Sequence, residues 1–98
     1  MRSSIALVSL VSLFASSVSF AEPVYQCDSA SETRTVAIVY ENTEASVPCR
    51  VDYTKNDSVQ TLWRAENEAG YCEDKAQAFL DKLVGWGFSC SEQTGATQ

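Results

Sequence analysis

The chain has no histidine among its 98 residues. That absence excludes a Ser-His-Asp hydrolytic triad and removes the imidazole ligands that small zinc sites commonly use. The chain is also short of positive charge, with 7 Lys and Arg against 13 Asp and Glu and a net charge of −6. A protein that tracks nucleic-acid phosphates needs the opposite balance, so no nucleic-acid partner is expected. There is no C-x-x-C pair, the spacing a dithiol redox site uses to resolve its first thiol. Long apolar runs are scarce too. Only IALVSLVSLFASSV (Ile5 to Val18) is apolar over any length, and its serines leave it short of the roughly 20 strongly apolar residues that a membrane span needs.

What surrounds that run gives it a meaning. Arg2 precedes it, and Ser19 and Ala21 follow at the small-residue positions that a signal peptidase reads. Residues 1–21 are therefore predicted to be a signal peptide cut between Ala21 and Glu22, with no membrane insertion after cleavage. Cleavage removes one basic residue and no acid, so the mature chain is one unit more negative than the whole. The expected location is periplasmic or secreted, and the expected layout is one domain over 22–92 with a flexible polar tail over 93–98.

A domain of this size buries too little surface for its hydrophobic core alone to be secure. Its four cysteines, Cys27, Cys49, Cys72 and Cys90, all lie in the mature part. An even count in a short exported chain reads as a disulfide framework.

Four strands are predicted. VYQC (Val24 to Cys27) is the first. TRTVAIVY (Thr33 to Tyr40), rich in β-branched residues, is the second and strongest. In VPCRVDY (Val47 to Tyr53), Val47, Cys49, Val51 and Tyr53 alternate with Arg50 and Asp52, the period of a half-buried antiparallel strand. Pro48 cannot donate to a ladder, so this strand begins there or is open to solvent at that point. VQTLWRAE (Val59 to Glu66) is the fourth, with Trp63 and Ala65 on the core face; Leu62 interrupts its pattern. DSASE, ENTEAS and KNDS are the turns between them.

A helix is predicted from about Tyr71. Cys72, Ala76, Phe79, Leu80 and Leu83 fall at i, i+4, i+7, i+8 and i+11, which is one face of a 3.6-residue period, with Glu73, Asp74, Gln77 and Asp81 opposite. Gly85 is placed to stop it in a left-handed conformation, with Trp86 packing back. The fold class is therefore α+β: a four-stranded antiparallel meander with one C-terminal amphipathic helix across a face.

Four cysteines allow three pairings, and the meander discriminates among them. Strand one ends at Cys27, at one end of the sheet, and strand three starts with Cys49 at the other. The helix starts beside Cys49 with Cys72 and delivers Cys90 back to the end that holds Cys27. The expected pairs are Cys49–Cys72 and Cys27–Cys90. A Cys72–Cys90 bridge would have to span roughly 20 Å of helix, and Cys27–Cys49 would cross an intervening strand. A bridged loop of about 20 residues is worth roughly 3 kcal/mol in the chain-entropy model.

Catalytic, cofactor and metal sites are not expected. The carboxylate pairs Glu66 with Glu68 and Glu73 with Asp74 would need a cleft to act as acid and base, and a sheet with one helix has little room for one. A small ligand between helix and sheet would need a cavity lined by Trp63, Phe79 and Leu83. The residues offered as partner-binding are Trp63, Arg64, Asn67 and Tyr71, around the joint between last strand and helix, and Trp86 between two glycines. These types anchor interfaces, and such joints often carry binding residues.

VPCRVDY, LWRAENEAGYCEDKA and LVGWGFSC together resemble a group of small uncharacterised exported proteins of gammaproteobacteria, over most of the mature chain. That resemblance implies no activity. The opening VYQCD, the size and the acidic charge are also similar to periplasmic inhibitors of c-type lysozymes, although the SGxxY stretch of that family is missing and this chain ends in a helix. Together these readings imply a non-enzymatic binding protein whose partner is another protein or an envelope component, a basic one being compatible with the acidic charge. The alternative is an inhibitor of a cationic hydrolase such as a lysozyme.

Overall fold

The structure, a computed structural model, describes residues 22–93. The signal peptide expected over 1–21 and the end of the expected tail, 94–98, lie outside them. Strand β1 (Val24–Asp28), β2 (Thr33–Tyr40), β3 (Cys49–Lys55) and β4 (Ser58–Ala65) are followed by helix α1 (Tyr71–Gly85) and a fifth strand, β5 (Ser89–Glu92). All pairings are antiparallel, in the order β4-β3-β2-β1-β5. The architecture is α+β, but the sheet has five strands where the sequence suggests four. The additional strand is SCSE, which carries no run of apolar residues to announce it. What makes it a strand is its partner: Cys90 lies directly opposite Cys27 in the β1–β5 register. Ser91 and Glu92 thus belong to the sheet.

Alternation sorts the sheet into two faces. In β2 every second residue is buried, namely Arg34, Val36, Ile38 and Tyr40, and the register sets Cys27, Cys49, Val51, Trp63 and Ala65 on the same side. Helix α1 covers that side with Cys72, Ala76, Leu80 and Leu83, all buried. Leu83, Val36 and Val51 are the largest fully enclosed apolar side chains; removing each from water stabilises the fold by roughly 1.5–3 kcal/mol. Two helix residues depart from the expected pattern. Phe79 is only half-buried, and Glu73 is turned back onto Tyr40.

The local stops have identifiable causes. Asn56 and Asp57 both have positive φ (51° and 64°), forming the two-residue turn that matches strand twist between Lys55 and Ser58. Strand β3 begins immediately after Pro48, whose peptide bond is cis. Leu62 is the extra residue of a bulge, since Val51 pairs with Trp63 and Asp52 with Thr61. Gly85 closes the helix in helical conformation. It is Gly87, at φ 102°, that adopts the left-handed one. The Phe88 N–H donates to the Leu83 carbonyl (3.0 Å) and the Gly87 N–H to the Val84 carbonyl (3.1 Å), the paired bonds of a Schellman motif. The stop falls two residues later than expected because Phe88, and not Trp86, packs against the core.

Both expected disulfides are present. Cys49–Cys72 ties β3 to the first turn of α1, and Cys27–Cys90 ties β1 to β5. All four cysteines are thereby used, leaving none to act as a redox thiol or metal ligand. Bridges of this kind form and persist in oxidising compartments. No helix among the described residues is long and apolar enough to cross a membrane.

Candidate binding surface

The face of α1 that continues past its buried stripe carries Tyr71, Lys75, Phe79, Lys82 and Trp86, at i, i+4, i+8, i+11 and i+15. At 3.6 residues per turn these form one row along the helix. Its contacts show which side of the molecule it occupies. The Phe79 ring meets Tyr53 edge-on at 4.8 Å, Trp63 at 5.8 Å and Trp86 at 6.4 Å between centroids. Such edge-to-face pairs add about 0.5–1.5 kcal/mol beyond the area they bury. The Lys75 ammonium lies 5.8 Å from the Trp63 ring centre and 5.5 Å from that of Tyr71. The row therefore overhangs β4, the outermost strand on that side.

This places the five sequence-selected residues. Trp63 is half-buried within the aromatic row, and Trp86, 65% exposed, forms its outer end. Tyr71 opens the helix and is half-buried. Arg64 points to the opposite face of the sheet, where Nη1 lies 3.2 Å from a Glu41 carboxylate oxygen. Arg64, Asn67 and Tyr71 nevertheless meet, lining with Ala65, Glu66 and Glu68 a cavity of about 320 Å³ where β4 passes into α1. The five thus occupy two adjoining places: an aromatic row along the helix and a polar hollow at its start. Leu83, by contrast, is wholly buried in the core, so the cavity does not take the helix–sheet position considered from sequence. Phe79, Lys75 and Lys82 were missing from the sequence-selected set. Their i+4 and i+3 spacing with Tyr71 and Trp86 was the available signal.

The charges are distributed unevenly. Arg34, Arg50 and Arg64 are ion-paired, whereas Lys55, Lys75 and Lys82 have no carboxylate within ion-pair distance among the described residues. A strongly acidic chain thus keeps two of its unpaired cations in the aromatic row. The acids Glu41 and Glu44, in the β2–β3 connection, and Glu66 and Glu68, in the β4–α1 connection, are exposed.

Two polar clusters fix the interior behind this surface. Burial pushes the Tyr40 phenol well above its ordinary value, reinforced by Glu73, whose Oε1 accepts its hydrogen bond at 2.6 Å. Tyr25 is raised similarly, by burial and then by the Glu92 charge. At the other end, Arg34 is buried against Phe88, its guanidinium 5.5 Å from the ring centre. Burial works against that charge, but the Glu32 carboxylate at 3.1 Å, aided by the Tyr53 phenol, outweighs it and keeps the guanidinium firmly protonated.

The fold and bridges define a small disulfide-stapled α+β domain. The chain matches no family model, no curated protein and no solved structure in the comparisons made.

Proposed function

We propose that this chain is a non-enzymatic periplasmic or secreted binding protein that acts by engaging a protein or an envelope component. The observation that carries this reading is the continuous row Trp63–Phe79–Trp86, which ends in a tryptophan left 65% exposed. Aromatic residues grouped at a surface with a desolvated centre and an exposed rim are the usual anchors of an interface. Trp63, Arg64, Asn67, Tyr71 and Trp86 are the residues assigned to contact.

Cross-linked affinity capture tests it, with oxidised residues 22–98 as bait against envelope extract. A protein or polymer retained by the native bait and released by the Trp63→Ala, Trp86→Ala double variant supports the reading. Equal retention by both baits removes it.

A second reading is favoured by the exposed acids Glu41, Glu44, Glu66 and Glu68 in the two connections beside the helix start. They suit inhibition of a cationic hydrolase such as a lysozyme. Inhibition of a purified lysozyme that fades steeply with added salt would support it, and undiminished lysozyme activity at low salt would dismiss it.

A further inference from the structure

Strand β4 is an outer strand with no neighbour beyond it among the described residues. One row of its backbone N–H and C=O groups is therefore open to pairing. Outer strands are usually blunted by lysine, proline or covering elements, yet from Ser58 to Trp63 this one carries no charge and no proline. Its first half is exposed, with Val59 at 63%. The helix row of Tyr71, Lys75, Phe79, Lys82 and Trp86 reaches this strand through Lys75 and Phe79, which both lie against Trp63. A strand laid against β4 would turn every second side chain towards that row.

Resting on the binding reading above, we propose that the β4 edge accepts an extended acidic peptide segment of a partner protein as a sixth strand. The main chain of the segment pairs with Ser58–Ala65. Its inward side chains alternate between carboxylates that meet Lys75 and Lys82 and an apolar residue that meets Trp63 and Phe79. Main-chain pairing supplies affinity in this mode and the alternate side chains supply selectivity.

The spacing agrees. Lys75 and Lys82 are about 10 Å apart along the helix axis, and strand residues i and i+4 are about 13 Å apart, a difference that lysine stems absorb. The sign agrees as well, since these two ammonium groups have no carboxylate partner among the described residues. A second copy of this chain fits less well. Antiparallel β4–β4 pairing about a two-fold axis would set the Lys75 and Lys82 row of one copy against the same row of the other.

The probe is a capped heptapeptide, TETVTET, titrated into oxidised 15N-labelled residues 22–98 and followed by amide shifts and hydrogen exchange. The expected result is new protection in β4 and shifts at Trp63 and Lys75. Affinity should fall roughly tenfold on Lys82→Glu, a surface change that leaves the core intact. It should be lost when alternate peptide amides are N-methylated. Equal affinity for TQTVTQT overturns the acidic preference, and binding without β4 protection overturns strand addition. No binding overturns both. Binding of an anionic polysaccharide in place of the peptide, with shifts confined to the helix row, would also overturn the proposal. A partner captured through Trp63 and Trp86 would still stand in any of these cases, which separates failure of this inference from failure of the binding reading.

Discussion

Replacing Cys27 and Cys90 together by alanine opens the longer of two covalent loops, with 63 residues of sequence separation against 23 for Cys49–Cys72. The chain-entropy relation assigns about 4 kcal/mol to the first loop and about 3.5 kcal/mol to the second at 25 °C. By loop length alone the two double variants are nearly equal, and each loses a large share of the 5–15 kcal/mol typical of a domain. They differ in what each bridge holds. Cys27–Cys90 secures β5, four largely exposed residues paired to β1 alone. Cys49–Cys72 secures the start of a helix that Ala76, Leu80 and Leu83 also hold by burial. Opening the first should therefore detach β5 as well as lower global stability; opening the second should lower global stability and leave helix and β5 docked. Urea unfolding reads the global loss. Native-state hydrogen exchange reads the local one, where Ser89–Glu92 should exchange freely only in Cys27→Ala, Cys90→Ala. If that variant lost less than about 1 kcal/mol and kept β5 protected, the assignment of β5 stability to the bridge would be refuted.

Two glycines of α1 and its entry should respond oppositely to alanine. Gly70 precedes the helix at φ 87° with open space where a Cβ would stand, so Gly70→Ala should cost about 1–2 kcal/mol by conformation alone. Gly85 is helical with the same open space, and Gly85→Ala should gain up to about 1 kcal/mol; thermal midpoints moving in the same direction would contradict this. Stability should also decline at alkaline pH. Tyr40 is held neutral in the folded state above its unfolded value of 10.0. Between those two values the unfolded chain has released a proton that the folded one retains. Stability is then full below about pH 10 and falls above it by up to about 1.4 kcal/mol per pH unit. Urea midpoints measured from pH 8 upwards should show a shallower decline in Tyr40→Phe, and an unchanged slope would refute the role of this phenol.

Periodicity carried most of the fold. The two-residue alternation in TRTVAIVY and VPCRVDY and the 3.6-residue spacing from Cys72 to Leu83 are local consequences of burying one face, so they can be read from the chain. The disulfide pairing was readable for a related reason. Reversing direction at each turn sends cysteines to one end of the sheet or the other, and only two pairings of ends are close. The strand SCSE was not readable, because its place depends on a bridge and a backbone ladder to β1 and not on its own side chains. The choice between Gly85 and Gly87 depended likewise on Phe88 returning to the core. At the surface, residue type alone picked out Trp63, Arg64, Asn67, Tyr71 and Trp86, but alternation along β4 sends Arg64 to the far face and Trp63 under the helix. The helix row was present in the spacing of Tyr71, Lys75, Phe79, Lys82 and Trp86. Which sheet edge it would overhang was not, because that is settled by how α1 packs across the sheet, and only that packing brings the lysines and aromatics beside its outer strand.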